Sequence, residues 1–146
     1  MTYNIIKLFL RLAISFSFLS AVADRFGYWP KENSVWGNWN AFLEYTALIN
    51  PWVPSTTIPF LGTVATIAEI LFAFCLIIGF KTSFFAKLSG WLLLAFALSM
   101  TFSTGIKSAL DYSVFTASAG AFALSVLNQQ FLELDGFLKS SREPKD

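Results

Sequence analysis

The 146-residue sequence has no histidine and one cysteine, and only 13% of its residues are charged, about half the ~25% of an ordinary globular domain. The missing histidine removes His-ligated haem, His-based zinc sites, Ser-His-Asp and Cys-His catalysis, and any imidazole pH switch. One thiol closes no internal disulfide and forms no dithiol redox couple. Cys75 lies in an apolar run and reads as a small residue facing lipid or a neighbouring helix. A net charge of +1 excludes a basic nucleic-acid binder, and no residue cluster suggests a metal or a catalytic constellation. What is abundant is apolar surface: 55% of residues are hydrophobic and 18% aromatic, with 17 Phe and five Trp. Polar residues are too few to cover a water-facing core of this size. The composition predicts an all-α integral membrane protein of one domain.

Four apolar segments fit the ~20 residues needed to cross a ~30 Å hydrocarbon layer, at about 5–23, 58–80, 83–106 and 110–127. In lipid a spanning segment must satisfy its own backbone, so all four are expected to be helices of a four-helix bundle. The first segment has signal-peptide features, Lys7 in front and Ala21-Val22-Ala23 before Asp24. Arg11 interrupts its apolar stretch, however, which favours its retention as a span. Lys and Arg set the orientation. One side collects Lys7, Arg11, Lys81, Lys87, Lys139, Arg142 and Lys145, and the other Arg25, Lys31 and Lys107. The excess places both termini in the cytoplasm, with residues 1–138 as the membrane domain and 139–146 as a polar cytoplasmic tail.

The long first connection holds four of the five Trp, namely Trp29, Trp36, Trp39 and Trp52, a residue type that favours the headgroup level. Apolar spacing over Val35 to Leu48 predicts a short amphipathic interfacial helix between the first two spans. It is ended by Pro51 and Pro54. It is either a membrane-resting connector or a lid over a cavity.

Charges inside spans persist mainly when paired or facing a cavity. Glu69 is expected about 16 Å and Arg11 about 10 Å from the cytoplasmic face, a gap an Arg side chain can reach across. An Arg11–Glu69 pair joining the first two spans is therefore expected; the alternatives are a protonated Glu69 and an Arg11 snorkelling to headgroups. A second polar set, Asp24, Arg25, Lys107 and Asp111, lies at the outer ends. Lys107 and Asp111 have i,i+4 spacing, and Asp24 could reach Lys107. These are either interfacial pairs or the mouth of a pocket. Small residues on one face of the second span (Gly62, Ala65, Thr66, Glu69, Ala73) and of the fourth (Ser113, Ala117, Gly120, Ala121) suggest close helix packing.

Three stretches carry a family resemblance: LFLRLAISFSFLSAVADRFGYWP, IAEILFAFCLIIGFKTSFFAKLSGWLLL and GIKSALDYSVFTASAGAFAL. Over about residues 4–127 the chain resembles the DoxX family of small four-helix membrane proteins, with Arg11, Asp24, Arg25, Glu69, Gly79, Lys107 and Asp111 at the matching positions. The resemblance implies a helical bundle in the bacterial inner membrane. It also implies a link to redox complexes, among them thiosulfate:quinone oxidoreduction. Without a Cys pair or His, the reading favoured is a non-catalytic or accessory subunit of a membrane complex, or a holder of a lipid-like ligand, with no cofactor of its own. Its expected partners are membrane lipids, redox-complex subunits or further copies of itself. The alternatives are a quinone-linked oxidoreductase subunit, with quinone as cofactor, and a proton-coupled small-molecule transporter using Glu69.

Overall fold

The computed structural model describes residues 2–128 and 131–136; the expected polar tail, 139–146, lies outside the described residues. The elements, in order, are α1 (Thr2–Arg25), α2 (Trp39–Ile49), a 3-10 turn (Ser55–Thr57), α3 (Ile58–Ile78), α4 (Thr82–Thr104), α5 (Ile106–Asp111) and α6 (Val114–Ser125). Three helices, α1, α3 with its leading turn, and α4, are long and apolar enough to cross a membrane.

Their side chains are sorted inside out relative to a water-soluble bundle. Phe9, Phe60 and Phe102 are 68, 73 and 74% exposed, while Arg11 and Glu69 are 0 and 2% exposed. All four charged residues of α1 (Lys7, Arg11, Asp24, Arg25) are buried. In water this arrangement would leave large aromatic rings hydrated and desolvate the ions; against lipid the preference reverses. A central apolar cluster of Ile14, Phe18, Ala73, Leu76, Ala86, Ala121 and Leu124 joins α1, α3, α4 and α6.

The expected fourth helix is not continuous. It breaks after α5 at Tyr112–Ser113, where Ser113 has φ +56, and resumes as α6, of 12 residues. Asp111 and Ser113 belong to the residue types whose side chains compete with helical backbone bonds. The Ser113 amide turns back to Leu110 O (2.9 Å). α6 then lies tight on α4. Ser118 Oγ donates to Gly90 O (2.9 Å), and a Cβ on Gly90 would come within 2.8 Å of the Phe122 ring. The buried face of α6 is Ser118, Ala121, Leu124 and Ser125, so of the expected small face only Ala121 is fully buried. On α3 the expected face holds, with Gly62, Thr66, Glu69 and Ala73 buried.

α2 forms within the expected stretch but starts later, at Trp39, because Asn38 caps it by accepting from the Ala41 amide (2.9 Å). It buries Phe42, Thr46 and Ile49 against protein. Phe42 and Leu43 close over Gly62 of α3, where a Cβ would meet them at 3.1 and 2.8 Å. Ile49 packs with Ala97, Met100 and Ala109, and Ser99 Oγ donates to Asn50 Oδ1 (3.1 Å).

Gly79 ends α3 in the left-handed region (φ +71), and the Phe80 amide returns to Cys75 O at 2.9 Å, the pattern of a glycine C-cap. A Cβ there would lie 2.6 Å from Glu133 Cα and 2.7 Å from an Arg11 guanidinium nitrogen. Gly79→Ala combines left-handed strain with a backbone clash, and a loss above ~1 kcal/mol is expected. Thermal unfolding in detergent measures it; an unchanged transition would contradict the close approach of residue 133.

Candidate functional site

The buried ions form two separate nodes at opposite ends of α1. At the loop end, Arg25 NH1 lies 2.6 Å from Glu69 Oε2 and its NH2 donates to Glu69 Oε1 at 2.9 Å. NH1 also donates to Thr66 Oγ1 (2.7 Å). This two-pronged fork is the strong form of the Arg–carboxylate contact. The guanidinium carbon stands 4.0 Å from the centroid of Phe42 and 5.5 Å from that of Trp36, so α2 and the preceding loop roof the pair with aromatic faces.

The residue beside it points the other way. Asp24 accepts from Ser34 Oγ and from the amides of Val35 (2.9 Å) and Trp36 (3.0 Å), which clasps the loop onto α1. Gly27 (φ +72) allows this turn, since a Cβ there would lie 2.9 Å from Gly37 O. The end of α1 therefore binds α3 through one residue and the roof through its neighbour.

At the terminal end, Arg11 is fully buried and acts as a cap. Its Nε donates to Leu76 O (2.8 Å) and its NH2 to Ile77 O (2.8 Å), carbonyls of the last turn of α3, where a cation is favoured by the helix dipole. NH1 donates to Phe131 O and Leu132 O, both at 3.0 Å. Glu133 lies 3.7 Å from Arg11 and pairs with Lys7 at 2.8 Å.

The expected Arg11–Glu69 pair is thus corrected: both residues are buried, but they do not meet. Helical side chains lean toward their own N-terminus. On α1 this carries Arg11 away from Glu69 and Arg25 toward it, and on antiparallel α3 Glu69 leans toward Arg25. The outer polar set also divides. Arg25 and Asp24 turn inward, and Asp24 engages the loop rather than Lys107. Lys107 and Asp111 pair with each other at 86 and 59% side-chain exposure, a solvated contact of small energetic weight.

The aromatics of the first connection play different parts. Trp36 and Phe42 meet edge to face at 5.4 Å, and Trp39 stacks on Phe26 at 5.8 Å. Trp29 Nε1 reaches back to Ser20 O (3.1 Å). Trp29 and Trp52 remain 44 and 56% exposed. Sequence reasoning missed Glu133 and the roles of Thr66 and Phe42. Glu133 was legible only as the first acid after a long uncharged stretch. Among the described residues no group of three or more His, Cys, Asp or Glu is placed to hold a metal.

No known protein family, curated protein or solved structure matches the chain.

Proposed function

We propose that the chain is a DoxX-type multi-pass protein of the bacterial inner membrane that serves as a non-catalytic subunit of a membrane complex. In this reading α1, α3, α4 and the broken α5–α6 segment are its four passes, and α2 lies at the outer interface. The supporting observation is the closed Arg25–Glu69 fork. Glu69 is the acid deepest in the apolar helices, and both of its oxygens face Arg25 beneath aromatic rings. An acid or base that moves protons needs a path to its substrate; here the charge joins α1 to α3 instead. Lys7, Arg11, Lys81 and Lys87 gather at the terminal end, which supports cytoplasmic termini. The occupants expected beside it are redox-complex subunits or a second copy.

The test is purification of the full chain in detergent, followed by solvent extraction and a quinone-reduction assay. The expected result is no stoichiometric quinone and no quinone-dependent turnover. Stoichiometric quinone with turnover abolished by Glu69→Gln would replace this reading with the quinone-linked one. Labelling of single cysteines in a Cys75→Ser background checks orientation, with a label at residue 140 expected only after the cells are opened.

A further inference from the structure

A cleft of about 420 Å³ opens at the terminal end, where α3 passes into α4. One wall is the start of α4. Among the described residues no side chain caps this helix, and the first of its amides to find a carbonyl outside the regular ladder is that of Phe84, to Lys81 O at 2.9 Å. The amides of Thr82 and Ser83, both of which line the cleft, therefore belong to the unsatisfied first turn of a 23-residue helix. Thr82 is 2% exposed, and its hydroxyl has no hydrogen-bond partner among the described residues. Lys81 lines the same wall. Its ammonium stands 5.6 Å from the Phe80 ring centroid and pairs with no carboxylate among the described residues. This wall has the chemistry of a phosphate site: the first-turn amides of a helix N-terminus, a buried hydroxyl donor and a cation.

The opposite wall is acidic. Glu133 is already neutralised by Lys7. Asp135, held in place by its amide on Gly79 O (3.3 Å), lines the cleft with its carboxylate unpaired among the described residues. Lys81 and Asp135 thus share one cleft without meeting each other. Leu127 and Phe84 supply an apolar margin, and Phe84 is 55% exposed at the end of an apolar helix.

We propose that this cleft binds a zwitterionic aminoalkyl phosphate, the chemistry of an ethanolamine phospholipid headgroup or of free phosphoethanolamine. The phosphate sits on the α4 N-terminus beside Thr82 and Lys81, and the primary ammonium on Asp135. A lipid would lay its chains past Phe84 and Leu127. The proposal rests on the membrane reading above, which is tested separately by whether the chain survives alkaline carbonate washing of membranes.

The probe is native mass spectrometry of the detergent-solubilised full chain, titrated with short-chain phosphatidylethanolamine, phosphatidylcholine and phosphatidylglycerol. Choline cannot donate N–H to Asp135, and glycerol carries no cation. Ethanolamine lipid is expected to be retained about tenfold more tightly than either, the scale of one charge-assisted hydrogen bond. Asp135→Asn should erase that ranking while leaving phosphate lipids bound. Lys81→Asn tolerates the left-handed backbone at this position (φ +43) and should weaken all three. An unchanged thermal transition in both variants shows that the fold is intact. Equal retention of the three lipids, or a ranking that survives Asp135→Asn, overturns the proposal. Displacement by free phosphoethanolamine identifies a soluble ligand, and resistance to it identifies the lipid; either outcome upholds the site.

Discussion

Glu69→Ala is expected to remove most of the folded protein. It leaves the Arg25 guanidinium, 3% exposed, with Thr66 and two aromatic faces but no counter-charge. Breaking one half of a buried pair costs about 3–5 kcal/mol, against a total stability of about 5–15 kcal/mol for a domain. Arg25→Met alone should cost as much, because it strands the carboxylate. The combined Arg25→Met/Glu69→Leu variant should recover most of the loss, since an apolar pair of similar volume is neutral or stabilising in place of buried ions. Thermal unfolding of all four proteins in one detergent gives the cycle. A coupling near zero between Arg25 and Glu69 would contradict the fork. Glu69→Ala combined with Arg11→Met should be additive, because the two residues share no partner.

Arg11→Met should produce the second large effect, and a localised one. It withdraws donors from four carbonyls, two ending α3 and two in residues 131–132. It also leaves Glu133 with Lys7 alone. Each buried acceptor left unsatisfied costs about 1–3 kcal/mol, so a loss of roughly 3 kcal/mol or more is expected. Hydrogen exchange should rise in the last turn of α3 and at Asp135, whose amide bonds to Gly79 O. Protection at the Val35 and Trp36 amides held by Asp24 should persist. Arg11→Lys should not rescue the loss, because one ammonium cannot serve carbonyls on two segments as a planar fork does. Uniform deprotection along the chain would contradict a local cap.

The three long helices were legible because apolar length is a one-dimensional property, and the polar end of α1 was legible as a helix stop. The ion pairing was harder. The depth argument let the Arg11 side chain reach along the helix in either direction, whereas Arg11 and Arg25 each extend several ångströms in a fixed direction toward the N-terminus of α1. Applying that direction to antiparallel helices selects Arg25 for Glu69 from sequence alone. The docking of Glu133 on Lys7 and Arg11 had no local signal, since it depends on where the chain returns after α6. The break at Tyr112–Ser113 was hidden by hydropathy, because a turn of moderately polar residues lowers an average very little. The burial of Phe42 over Gly62 depends on the close approach of α2 to α3, which periodicity within α2 does not specify.

The brevity of α6 has a consequence for the surrounding bilayer. Its 12 residues rise about 18 Å, and with the six of α5 laid end to end the broken pass reaches about 27 Å at most, short of a ~30 Å hydrocarbon layer, while α1 and α4 rise about 35 Å each. Lipids abutting that flank must shorten or tilt, at a cost of fractions of a kcal/mol per ångström of mismatch. In the four-pass reading the molecule would carry a lopsided dimple in membrane thickness, biasing it toward thinner regions and toward neighbours with a matching short edge.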